Sequence, residues 1–171
     1  MATVTINIYY DANPPFNPRV QGFVNAIFDS CFASLDRDKV VIVWILGPPP
    51  KPPGKGWSNS TTLNYELKST LGPSVLGVAA DGQTGSYSSN ICPANILAGT
   101  TKTGGDNDIS TANTVVHEIG IHGIIGTSGH YGKATGTHDV GNAKKTPGLT
   151  MGVGQWTSDE CSDLKSALGV K

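Results

Sequence analysis

One short stretch constrains this chain more than any other: Thr114-Val115-Val116-His117-Glu118-Ile119-Gly120-Ile121-His122-Gly123-Ile124-Ile125-Gly126. Ala112, Val115, Val116 and Ile119 recur at helical spacing, so the stretch reads as a helix with one buried side. Asp108 or Ser110 is expected to cap its start, and Gly123 and Gly126 to end it. On that helix the two histidines are five residues apart. A regular α-helix turns a five-residue step by roughly 140° away from alignment, so the two side chains could not meet. One extra residue looped out as a π-bulge restores the alignment, and Gly120 is well placed to allow it. A rival geometry keeps the helix regular. Glu118 and His122 are four apart and then share a face, with His117 elsewhere.

The pairing matters because of what these side chains bind. Zinc takes neutral imidazoles as ligands, and a catalytic zinc keeps one position open for water. Two histidines on one helix face supply half of a tetrahedron. A glutamate beside the first histidine can reach that water and take its proton. All four histidines of the chain, His117, His122, His130 and His138, fall within residues 117–138, which favours a metal site over helix capping. A third protein ligand is needed, and His130 and His138 are the candidates, with Asp139 the weaker one. Tyr131 is the tyrosine nearest in sequence that can steady an oxyanion.

Around this stretch the pattern is that of an α+β domain. Thr3–Tyr10 alternates, with Val4, Ile6, Ile8 and Tyr10 on one face, and reads as a half-buried strand. A helix follows, with Asn17 as N-cap, Pro18 at the first position and a stripe of Val20, Phe23, Val24, Ile27, Cys31 and Leu35. Residues 40–46 are a continuous apolar run and read as a central strand covered on both faces. The proline-rich residues 47–54 form a stiff connector. Leu63, Tyr65 and Leu67 mark a further strand, and residues 74–79 another. Residues 81–105 are Gly/Ser/Thr/Asn-rich and read as irregular, with an edge strand near residues 90–97. Thr157-Ser158-Asp159-Glu160 opens the last helix as a capping box, and Cys161, Leu164 and Leu168 give its apolar face. The expected fold is α+β, with a small mixed sheet, a backing helix, an active-site helix and a C-terminal helix, in one domain spanning residues 1–171.

Composition narrows the function classes. With 171 residues, 15% charged side chains and a formal net charge of −1, there is no basic patch to hold nucleic acid. No apolar run approaches the roughly 20 residues that span a bilayer. The low charge and abundant glycine lean toward a secreted hydrolase whose leader is absent here, with a cytoplasmic protein as the alternative, because residues 1–5 are no signal peptide. Cys31, Cys92 and Cys161 have no Cys-x-x-Cys spacing. Buried free thiols are expected in preference to one disulfide and a free thiol, since Cys31 and Cys161 fall on apolar helix faces. Asn59-Ser60-Thr61 carries no weight as a sequon.

Residues 114–152 resemble the metzincin group of zinc peptidases, whose pattern is His-Glu-x-x-His-x-x-Gly-x-x-His followed by a methionine turn. His117-Glu118, His122, Gly126 and a later histidine come in that order, and Leu149-Thr150-Met151-Gly152 resembles the turn. The resemblance implies that Met151 lies under the metal. It also implies that an edge strand from residues 74–97 pairs with extended substrate, and it favours His138 over His130, because the His138-Asp139 pair resembles the end of the pattern in snake-venom-type members. The histidine spacing is one residue longer than in metzincins, and the glycine and third histidine are displaced. The stretched His-Glu-x-x-x-His form is similar to the dipeptidyl peptidase III family, in the local motif alone. The function expected is a zinc-dependent endopeptidase, a monomer acting on peptide or protein substrates without nucleic acid or membrane partners, with Glu118 activating the water. The alternatives are a zinc-binding interaction or toxin-like domain with weak or no catalysis, and a metal-free binding domain.

Overall fold

The structure is a computed structural model that describes residues 3–32, 39–50, 62–70, 77–79, 87–126 and 152–170. Five strands, β1 (Thr3–Tyr10), β2 (Lys39–Leu46), β3 (Thr62–Ser69), β4 (Gly77–Ala79) and β5 (Ser88–Ile91), form one sheet in the order β2-β1-β3-β5-β4. The first four in that order are mutually parallel, and β4 runs antiparallel beside β5. The sheet is small and mixed, as the sequence pattern implies.

The helices are α1 (Pro18–Asp29), α2 (Pro93–Thr103), α3 (Asn107–Val116) and α4 (Ser158–Leu168), with α3 continuing into a π-helical segment, His117–Ile125. Val4, Ile6 and Ile8 of β1, Tyr65 and Leu67 of β3 and Ile91 of β5 are buried in a single core with Val20, Val24, Ile27 and Phe28 of α1, Ala112, Val115 and Val116 of α3 and Ile119 of the π-helical segment. Among the described residues no helix is long and apolar enough to cross a membrane.

Two local expectations, the N-caps of α1 and α4, hold atom by atom. Asn17 caps α1 by accepting from the Val20 N–H at 3.0 Å, with Pro18 at the first position. The Thr157 hydroxyl caps α4 through the Glu160 N–H at 3.3 Å. Gly104 and Gly169 end α2 and α4 in the left-handed conformation that a Cβ disfavours.

Three expectations are corrected. Residues 40–46 do not form a central strand: β2 is at the end of the strand order and pairs with β1. Val41 and Val43, 43% and 39% exposed, stand on the face away from the helices, while Trp44 turns inward and donates to Asn25 Oδ1 at 2.9 Å. The run of β-branched residues records strand propensity, not burial on two sides. Residues 90–97 do not form an edge strand either. β5 lies inside the sheet and Pro93 opens α2, while the edge position falls to β4, within the expected residues 74–97. The polar composition hides α2 because Thr100 and Thr103 satisfy their hydroxyls inside the helix, on the carbonyls of Ile96 and Gly99 at 3.0 and 2.9 Å. Finally, Cys31 and Cys161 are joined in a disulfide, with Cα atoms 5.3 Å apart, and only Cys92 is a free buried thiol among the described residues. Both cysteines do border the core, Cys31 two residues past the end of α1 and Cys161 within α4, and their separation in sequence concealed the pairing.

Candidate metal centre

The helix that carries the site is anchored before it reaches the histidines. Its N-cap is Asp106, not Asp108 or Ser110. One carboxylate oxygen accepts from the N–H groups of Asp108 and Ile109 at 3.0 Å each. Arg19 of α1 bridges Asp106 and Asp108 at 2.8 and 3.0 Å, fixing the start of α3 on α1. Hydrogen bonds from Arg19, with those of the cap, hold the Asp106 carboxyl down at about 2. From Ser110 to Glu118 every residue is buried, and the Thr111 and Thr114 hydroxyls turn back onto the Asn107 and Ser110 carbonyls at 2.8 Å.

At His117 the helix widens. His117–Ile125 is π-helical, and its end is closed by a five-residue bond from the Gly126 N–H to the Ile121 carbonyl at 3.1 Å. The widening reaches further than the single bulge expected. It brings His117 and His122 together: their ring centroids are 4.8 Å apart at 88°. One ligand atom each from His117, Glu118 and His122 lies within 4.8 Å of the others. The rival geometry, with His117 turned elsewhere, is not what the structure adopts.

Two aromatic side chains hold the widened segment, and both escaped the sequence reading. The Trp156 indole lies against Gly120, where an added Cβ would come within 2.5 Å of Cη2. Its Nε1 donates to the Ile27 carbonyl at 2.8 Å, and its ring packs on Phe28 at 5.6 Å. Gly120 does not have a positive φ, so its glycine provides room for Trp156 more than backbone freedom. From the sheet side the Tyr65 hydroxyl sits where a Cβ of Gly123 would be. Gly126, at φ 79, is the glycine that the backbone itself requires.

The negative charge of Glu118 is felt by its neighbours. Burial pushes the Tyr65 phenol well above its usual range, with Glu118 adding to the rise and a hydrogen bond to Ser89 at 3.3 Å opposing it. Burial, then Glu118, also raises the Cys92 thiol. The buried Glu118 side chain is thus set beside two imidazoles, near Tyr65 of β3 and Cys92. Two borderline nitrogen donors with an oxygen donor suit zinc by ligand type.

Asn113, one turn before His117, is buried and bonded at both ends of its amide to Gly152 and Gly154. The sequence offered no distinct signal for it, since Ser110, Thr111 and Thr114 are polar and buried in the same helix. His130, Tyr131, His138, Asp139 and Met151 lie outside the described residues.

Compared by sequence, the chain matches no family model and no curated protein. Compared by structure, it is similar to the crystal structure of archaemetzincin from Methanopyrus kandleri, with a TM-score of 0.53 and 14% identity, over 98% of this chain and 96% of that one. Nothing in the comparisons supports the likeness to dipeptidyl peptidase III, which stays confined to the spacing of the local motif. At that identity what is shared is the fold: a mixed α/β arrangement with a small, largely parallel sheet and helices, like that of archaemetzincin. In this chain the fold carries a His-Glu-His group that could hold a metal.

Proposed function

We propose that the chain is a zinc-dependent endopeptidase. The observation that carries this reading is the π-helical segment, which brings His117 and His122 to 4.8 Å across a spacing that a regular α-helix would not align. The archaemetzincin-like fold supports it.

In this reading His117 and His122 hold the ion through neutral imidazole nitrogens, and His138 or His130 supplies the third ligand. A bound zinc provides a Lewis acid that polarises the scissile carbonyl and lowers the pKa of water. Glu118 accepts the proton of the attacking water and delivers it to the leaving amine nitrogen as the C–N bond breaks. Its low exposure keeps competing bulk water away from that transfer. Tyr131 is assigned to the oxyanion and Met151 to the floor of the site. The antiparallel edge strand β4, which packs against the π-helical segment, is assigned the pairing with an extended peptide. The Cys31–Cys161 disulfide supports maturation in an oxidising compartment, hence secretion. The protein is taken to act as one domain and as a monomer.

Glu118→Gln tests this assignment. Retained zinc with peptide cleavage reduced by about 10²–10⁴-fold supports the role of Glu118. Retained cleavage removes it. One observation favours a second reading, zinc binding without catalysis. The Glu118 carboxylate and the two imidazoles each offer a ligand atom within 4.8 Å of the others, so with a further histidine they would fill a closed structural site. That reading predicts that Glu118→Gln weakens zinc binding and that the wild type cleaves no peptide.

A further inference from the structure

Gly120 lies between His117 and His122, in a stretch that is buried from Val116 to Ile121. The side chain that meets it comes from the other end of the chain. A Cβ on Gly120 would stand 2.5 Å from Trp156 Cη2, 3.3 Å from Cζ2 and 3.5 Å from Cζ3. The far edge of the indole thus fills the space that any residue larger than glycine would need.

That contact bears on which helix the segment can form. Returning residues 117–125 to the α register would turn them about the helix axis, by roughly 100° for one residue of slip. Gly120 would leave the indole, and a chain neighbour would take its place. Its neighbours are Ile119 and Ile121, both branched and both buried. An isoleucine side chain has no room where a single methyl group is already too close. The indole therefore excludes the register that parts the two histidines and accepts the one that joins them.

Trp156 acts as a wedge because it is fixed from outside the segment. Its Nε1 donates to the Ile27 carbonyl at 2.8 Å, and its ring packs on Phe28 with centroids 5.6 Å apart. Both partners belong to the end of α1. Thr157, the next residue, caps α4, and Cys161 in that helix is bonded to Cys31. The hydrogen bond and the disulfide thus tie the chain on either side of Thr157 to the end of α1.

We propose that Trp156 is a positioning residue of the metal centre: by filling the space beside Gly120 it keeps residues 117–125 π-helical, and so holds the imidazoles of His117 and His122 together before a metal binds. This rests on the zinc reading above, in which those two imidazoles are ligands.

The test uses two readouts on the full chain. One is the NMR cross-relaxation between the ring protons of His117 and His122 in the metal-free protein. The other is zinc affinity, measured by competition with a chromophoric chelator. Trp156→Phe keeps an aromatic ring but is too short to reach Gly120, and it has no N–H for Ile27. Trp156→Ala removes the ring altogether. Val4→Ala, in the core at the start of β1, is the control for general loss of stability. The expected result for Trp156→Phe is loss of the ring-to-ring signal and zinc binding weakened by about 10–100-fold, the range typical of groups that orient metal ligands. Trp156→Ala should lose at least as much, and Val4→Ala should keep both. Trp156→Phe covers the case in which Trp156→Ala fails to fold. If the Trp156 variants melt lower yet keep the ring contact and bind zinc like the wild type, the residue is merely structural and the proposal is overturned while the zinc reading stands. Weaker zinc binding with the ring contact kept overturns it too, because the effect would not pass through the histidine pair. A wild type that shows the ring contact but takes up no zinc overturns the zinc reading, and the proposed role with it.

Discussion

The imidazole rings of His117 and His122 stand 4.8 Å apart at 88°, although five residues separate them in the chain. The π-helical geometry of residues 117–125 makes this possible, and it is held from outside by Trp156 on Gly120 and Tyr65 on Gly123. The site is therefore a property of packing as much as of the motif.

Packing around Gly120 should be measurable directly. A methyl group there would lie 2.5 Å from Trp156 Cη2. Gly120→Ala is expected to destabilise the fold by about 1–3 kcal/mol in urea unfolding. Trp156→Phe in the same background should recover part of that loss. Additive effects of the two substitutions would mean that the indole does not press on the helix.

The disulfide closes a long stretch of chain, since Cys31 and Cys161 are 130 residues apart in sequence. Removing it with Cys31→Ser and Cys161→Ser together should lower stability by about 2–5 kcal/mol. Cys92 is buried and its thiol is raised by that burial and by Glu118, so it should stay protonated at neutral pH. The native oxidised protein is expected to show no fast-reacting thiol toward iodoacetamide, and one on unfolding. Fast labelling of the native protein would contradict this.

Asp106 gives a pH dependence with a definite sign. Its carboxyl is lowered from 3.8 to about 2 in the folded state, chiefly by Arg19. The stability this contributes is present above pH 3.8 and lost as the pH falls through about 2. Asp106→Asn keeps a capping side chain and removes the charge. Its stability should change less steeply with pH over that window, with a difference below about 1 kcal/mol because the ion pair is partly exposed. Identical acid profiles for variant and wild type would dismiss the pair as a contributor.

What the sequence revealed divides along physical lines. β1, the Asn17 cap of α1 and the Thr157 cap of α4 follow local rules, alternation and N-cap chemistry, and the structure places them as those rules demand. The need for a π distortion was legible because His117 and His122 cannot meet otherwise, but its length was not, since it depends on Trp156 arriving from the far end of the chain. The edge position of β2 was hidden because Val41 and Val43 signal strand propensity and not burial. The Asp106 cap was missed in favour of Asp108, two residues on, because either aspartate could start the helix by residue type and only the backbone path brings the Asp108 and Ile109 N–H groups onto Asp106. The disulfide and the bonds of Asn113 to Gly152 and Gly154 are contacts between distant segments, for which a single sequence carries no period.

Metal should also stabilise the fold, because a ligand that binds only the folded chain shifts its equilibrium. With free zinc at about 100 times its dissociation constant, the gain is about 2.7 kcal/mol. The chelator-stripped protein should accordingly melt several degrees lower than the zinc-loaded one, and zinc should restore the difference. Equal melting temperatures would argue against a site formed on folding.

The most direct test is the zinc content of the purified protein by elemental analysis, for the wild type and for His117→Ala, His122→Ala, His130→Ala and His138→Ala. About one zinc per chain is expected, lost with His117, with His122 and with one of the other two. A wild type that holds no zinc and cannot be loaded with it, or a His117→Ala variant that holds it as well as the wild type, would contradict the assignment of His117 and His122 as a metal-binding pair.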